Sequence, residues 1–114
     1  MEMQIKFYEG ILHEYATGIT NVLGKKLIQV ILYGSYARGD YTVSSDIDVM
    51  ILVDMTDEEI DSIREEIYGL AFDIGLENDV IISTIIKNNE HYKSWISVVP
   101  FYQNVQKEGV ILNG

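Results

Sequence analysis

The side chains best suited to chemistry are a glycine–serine pair, Gly34-Ser35, and an aspartate pair, Asp46-Ile47-Asp48, with ten residues between them. Residues i and i+2 of a strand leave the same face about 6.5–7 Å apart at the backbone, so two carboxylates placed this way can converge on one or two hard cations. Magnesium takes carboxylate oxygens together with substrate phosphates, which makes the pair a candidate nucleotide-metal site. The glycine permits a tight turn and a close backbone approach, and Ser35 then falls where freed N–H groups at a helix start can hold a phosphate. A phosphate cradle followed by metal-binding carboxylates is an arrangement for chemistry on a nucleotide.

Two strands must position these groups. Leu27-Ile28-Gln29-Val30-Ile31-Leu32-Tyr33 is a nearly continuous apolar run, as expected of a strand covered on both faces. The second strand, Asp46 to Val53, separates its faces: Ile47, Val49, Ile51 and Val53 point one way, and Asp46, Asp48, Met50 and Leu52 the other. The acids open a face that becomes apolar further along, which places them at the rim of a sheet.

The remaining elements follow from periodicity. Ile5, Tyr8, Leu12, Tyr15, Ile19 and Val22 form one helical stripe, predicting a helix from Ile5 to Leu23 that ends at Gly24. With fewer than three heptads it is expected to pack on the sheet rather than in a coiled coil. Thr56-Asp57-Glu58-Glu59 is a capping box, and Ile60, Ile63, Ile67, Leu70 and Ile74 form the buried stripe of a helix that Gly75 is expected to end. Its acids, Asp57, Glu58, Asp61, Glu65 and Glu66, read as a solvated face. Asp79 to Ile86 reads as a third strand, residues 87–94 as a polar loop, and Pro100 as the first turn of a helix reaching Glu108, with Gly109 as its stop. Val110-Ile111-Leu112 is expected to pack back on the domain. Tyr8, Tyr15, Tyr68 and Phe72 are assigned to the core. Tyr36 is either core or a contact for a base or acceptor. His13 and His91 have no companion at metal-ligand spacing.

At 114 residues the chain is read as one domain, residues 1–114. Eight basic against eighteen acidic residues give a net charge of −10, which repels free nucleic acid and attracts a basic protein or a cationic small molecule. The absence of cysteine excludes disulfides and thiolate metal sites. Met1-Glu2-Met3-Gln4 lacks a basic region followed by an apolar stretch, and no run approaches membrane-spanning length, so a cytoplasmic location away from membranes is expected.

In Gly34, Ser35, Ala37, Arg38, Gly39, Ser45, Asp46 and Asp48 the chain resembles the minimal nucleotidyltransferase family of the DNA polymerase β superfamily. The resemblance extends to the order of elements over nearly the whole chain. It implies an α/β (α+β) polymerase-β-like core, a small mixed β-sheet with helices packed against it. It also implies magnesium-dependent transfer of a nucleoside monophosphate from a nucleoside triphosphate, with AMP from ATP as the leading choice, to an acceptor hydroxyl. By that analogy Asp46 and Asp48 hold two magnesium ions. A third carboxylate comes from a neighbouring strand, with Asp79 the best candidate for it and for proton acceptor; Asp54 and Asp73 are weaker rivals. Gly34 and Ser35 would hold the β- and γ-phosphates. Arg38 would either pair with phosphate or form a salt bridge that steadies the short helix of the motif.

No second domain that would grip a large acceptor is evident, and in this the chain is similar to stand-alone members of the family. Many of those are antitoxins of all-helical HEPN ribonucleases, which they adenylylate on a tyrosine. A HEPN-type protein partner is therefore the leading expectation. The alternatives are a small-molecule, aminoglycoside-type nucleotidyltransferase and a non-catalytic partner-binding antitoxin.

Overall fold

A computed structural model of the chain describes residues 7–113. Four strands, β1 (Leu27–Tyr33), β2 (Ile47–Val53), β3 (Ile82–Asn88) and β4 (Val110–Ile111), form one mixed sheet in the order β3-β2-β1-β4. β1 runs antiparallel to both β2 and β4, whereas β2 and β3 are parallel. Parallel neighbours need a crossover, and here it is a long helix, α3 (Asp57–Asn78). The other α-helices are α1 (Phe7–Leu23), α2 (Ser35–Arg38), α4 (Asn89–Trp95) and α5 (Pro100–Glu108), and a single 3-10 turn, Gly24–Lys26, joins α1 to β1.

The face separation read in β2 divides the interior into two layers. Ile47, Val49, Ile51 and Val53 join Val30 and Leu32 against the stripes of α1 and α3. Met50 and Leu52 join Ile31 against Tyr92 of α4 and Tyr102 and Val105 of α5. Tyr8, Leu12, Tyr15 and Ile19 are buried as their spacing requires, while Ile5 lies outside the described residues. The buried Tyr15 hydroxyl hydrogen-bonds Thr84 Oγ1 at 2.7 Å, tying α1 to β3. The capping box is present: Thr56 Oγ1 accepts the Glu59 N–H at 3.2 Å, and Glu59 accepts the Thr56 N–H at 2.9 Å.

Several expectations need correction. α3 continues through Gly75 to Asn78, and its end is set by Asp79, which adopts a left-handed conformation (φ 56°) that aspartate tolerates. The N–H groups of Asp79 and Val80 both donate to the Gly75 carbonyl, so the chain turns over Gly75 instead of stopping there. β3 consequently begins at Ile82, and Asp79 precedes it instead of opening it. Residues 87–94 are not a loop. β3 extends to Asn88, whose side chain accepts the His91 N–H at 2.9 Å and starts α4. Tyr68 and Phe72 lie off the buried stripe of α3 and are exposed.

Candidate active site

At the end of β1 the chain turns through Gly34, at φ 78° and ψ −157°, a region essentially confined to glycine. A Cβ at Gly34 would collide with the Asp48 carboxylate, so glycine is required here by both backbone and space. The Gly34 carbonyl accepts the N–H groups of Ala37 and Arg38, each at 3.0 Å, closing the single turn of α2. The N–H groups of Ser35 and Tyr36 belong to that first turn and have no acceptor within the helix.

Aromatic packing holds the loop that follows. Tyr36 is buried and stacks on Tyr41 with centroids 4.2 Å apart and planes 8° apart, and Tyr8 of α1 meets both rings edge-on. Thr42 and Ser45 then close a tight turn, with the Ser45 N–H on the Thr42 carbonyl at 3.0 Å and the Thr42 N–H on Ser45 Oγ at 2.9 Å. Asp46 emerges exposed just before β2, and Asp48 sits half-buried in register with Tyr33.

Burial pushes the Asp48 carboxyl above its ordinary range, and the Asp46 charge adds to the rise; Arg38 opposes it, and Glu108 adds further. The same crowding acts on Tyr33, whose hydroxyl is raised to about 12 by burial and by the Asp48 charge. Asp48 thus occupies a corner short of positive charge.

Glu108 is the residue that sequence reasoning missed. From the last position of α5 it accepts the Gly34 N–H at 2.7 Å and two contacts from Arg38 Nη1, each at 3.2 Å. Arg38 Nε reaches Asp40 at 3.2 Å. The salt-bridge alternative for Arg38 is therefore present, with two acids. The signal in the sequence was faint: an acid in the last turn of a helix, where the macrodipole disfavours negative charge.

An open cavity of about 1000 Å³ adjoins Asp46 on the α3 side and is lined by Asp46, Asp79, Tyr36, Tyr41, Phe72 and Leu76 among others. Gly34, Ser35, Arg38, Asp46 and Asp48 are brought together around one end of β1 and β2. Asp79 lies on the wall of the cavity that Asp46 also lines. β3 carries no acid, and its residue in register with Asp48 is Ser83. Among the described residues no three His, Cys, Asp or Glu side chains are grouped to hold a metal. No helix among them is long and apolar enough to cross a membrane.

Residues 19–102 match the nucleotidyltransferase domain family. A Methanocaldococcus jannaschii protein named "Putative protein adenylyltransferase MJ0141" is 40% identical over 94 residues, which cover 81% of this chain and 91% of that protein. A second from the same organism, "Putative protein adenylyltransferase MJ0604", is 33% identical over 104 residues, covering 91% and 96%. The fold is similar to that in a toxin-antitoxin crystal structure with AMP-PNP (21% identity, TM-score 0.57, covering 90% of this chain and 73% of that one). It is also similar to that in a complex of a tri-AMPylated Shewanella oneidensis HEPN toxin with MNT antitoxin (16% identity, TM-score 0.50, covering 93% and 72%). At such identities these two show a shared fold alone. The family match, by contrast, takes in the Gly34 turn and both aspartates at the start of β2, Asp46 before it and Asp48 within it, and the chain belongs to the nucleotidyltransferase domain family.

Proposed function

We propose that this nucleotidyltransferase moves AMP from magnesium-bound ATP to a hydroxyl on a protein partner, a helical HEPN-type ribonuclease. The observation that carries the chemistry is the contact between the Asp48 carboxylate and the Gly34 turn, which brings a metal-binding oxygen against the segment where phosphates would lie. The donor set fits magnesium. Asp46 and Asp48 are hard oxygen ligands whose mutual repulsion a cation would relieve, and two carboxylates plus phosphates and water complete a magnesium shell. The choice of protein acceptor is supported by the names of the two archaeal relatives and by the HEPN toxin in one structural neighbour.

Bound magnesium would neutralise triphosphate charge and lower the pKa of the acceptor hydroxyl. The chain's own task is then positioning and electrostatics. Ser35 and the first-turn N–H groups of α2 hold the β- and γ-phosphates, and Asp46 and Asp48 orient the reacting end. The acceptor oxygen forms a bond to the α-phosphorus as the bond to the β-phosphate oxygen breaks, and pyrophosphate leaves. Asp79, on the wall of the cavity that Asp46 also lines, takes the hydroxyl proton and serves as the acceptor-side carboxylate.

The test is intact-mass spectrometry of a HEPN protein encoded beside this chain, incubated with it, ATP and magnesium. The partner should gain whole AMP residues. The Asp46→Asn/Asp48→Asn double variant should leave it unmodified, and Asp79→Asn should abolish transfer while keeping its circular dichroism spectrum. A partner that binds without gaining mass would favour the non-catalytic antitoxin reading, and a labelled aminoglycoside would move the acceptor to small molecules. Normal transfer by Asp79→Asn would remove that residue from the mechanism.

A further inference from the structure

We propose that Glu108 is a positioning residue for nucleotide binding, the group that pins the Gly34 turn and aims Arg38; this rests on the nucleotidyltransfer reading above. Three observations point to it. First, the Gly34 backbone occupies a region that glycine's own preferences do not enforce, so something outside the turn must hold it. The Gly34 N–H is held by a carboxylate at 2.7 Å, the short contact typical of a charge-assisted hydrogen bond. Second, both oxygens of that carboxylate lie 3.2 Å from Arg38 Nη1, so one side chain restrains the start and the end of α2. Third, Glu108 is presented from a fixed base. Its side chain is only 21% exposed, and β4, two residues on, pairs with β1 in the register Leu32↔Val110, immediately before the turn.

The position of Glu108 is costly for its own helix, because negative charge at a helix C-terminus opposes the macrodipole. Its contacts lie instead with the turn. Arg38 offsets its charge, so the carboxylate can sit near bound phosphates without the full repulsion of a lone anion. Glu108 also takes the Gly34 N–H away from the phosphates, leaving the N–H groups of Ser35 and Tyr36 as the backbone donors of the cradle. Glu108 lies beyond the segment, residues 19–102, that matches the family.

Glu108→Gln separates the acceptor from the charge, since a glutamine oxygen can still accept the Gly34 N–H, while Glu108→Ala removes both. Hydrogen exchange at the Gly34 amide, read by NMR, reports the turn without reference to activity. Calorimetry with magnesium-ATP and the split of KM against kcat report its consequence. Losing a hydrogen bond to a charged group predicts, for Glu108→Ala, Gly34 exchange faster by about tenfold or more and a KM for ATP higher by about tenfold, with kcat nearly unchanged. Glu108→Gln should keep the amide protected and KM within about threefold of the parent. Should Glu108→Ala not fold, Glu108→Asp, too short to span the gap, is expected to show the same losses.

Tighter ATP binding by Glu108→Ala would overturn the proposal and make the carboxylate a competitor for the phosphate position. Unchanged exchange and KM would reduce the contact to a surface ion pair, and equal failure of Glu108→Gln would reject the acceptor role. If the parent protein transfers no AMP, the nucleotidyltransfer reading falls, yet amide exchange and ATP binding still decide what Glu108 does.

Discussion

Asp48 carries an electrostatic cost at the site, and that cost can be read without substrate. Burial and the neighbouring Asp46 raise its folded-state pKa above the ordinary 3.8. A carboxyl raised in this way binds its proton more tightly in the fold than in the unfolded chain. The resulting stability is fully present below the unfolded pKa and is lost as pH rises through the folded pKa. Asp48→Asn should therefore flatten this part of the pH profile and raise Tm near neutral pH in metal-free buffer. Thermal melts in EDTA from about pH 3 to about pH 8 would show it, and a variant less stable than the parent at pH 7 would contradict the sign. Added magnesium-ATP should stabilise the parent and leave Asp48→Asn nearly unmoved, because binding to the folded state alone is what shifts a melt. The acid pair was legible in the sequence from its place at the start of an otherwise apolar strand, although that strand begins at Ile47, between the two acids, so only Asp48 is held by the pleat. The partner of Gly34 was not legible, since contacts made across 74 residues of separation leave no local pattern.

Among the elements, α4 shows most clearly what periodicity cannot see. Only seven residues long, it buries a single tyrosine, Tyr92, so no stripe announces it. Its one signal is Asn88, which caps the helix and also donates from Nδ2 to the Met55 carbonyl at 2.6 Å. Asn88→Ala should cost roughly 1–3 kcal/mol in urea unfolding, combining a lost cap with an unpaired part-buried carbonyl. The KM for ATP should stay unchanged, because Asn88 pairs with Val53, at the opposite end of β2 from Asp48. A KM shift comparable to that of the cradle variants would show that the two ends of the sheet are coupled. The long elements α1, α3 and β2 were readable because each repeats its burial pattern over several turns or pleats; β1 was readable from its apolar run, although Ile28 near its start is exposed instead of covered. Asp79 was misplaced for a complementary reason. Val80 and Ile81 have strand-like side chains, but the Val80 N–H is already committed to the Gly75 carbonyl, and the ladder starts only at Ile82. Glu108 stayed hidden within a helix whose boundaries were read correctly.

Over the whole molecule the charge of −10 is the property a partner meets first. Association with a basic partner should be steered by this field, so its rate constant should fall by about tenfold between about 50 mM and about 500 mM salt. Stopped-flow mixing measures this directly, and a rate indifferent to salt would assign the encounter to apolar contacts such as Phe72, Leu76 and Ile81 beside the cavity. The order in which the site's parts are synthesised adds a temporal dimension. Gly34, Asp46 and Asp48 leave the ribosome early, and the antiparallel pairing of β1 with β2 requires nothing made after Val53. The carboxylate that restrains Gly34 arrives only with the last turn of α5. A translation product broken off before that point would carry both aspartates on an unrestrained turn, and a protease that trimmed α5 would return a finished molecule to that condition. Under the role proposed for Glu108, competence to bind the nucleotide is tied to the integrity of a distant stretch of chain, so fragments that keep the β1–β2 pair but lack this stretch, and β4 with it, are expected to bind ATP weakly.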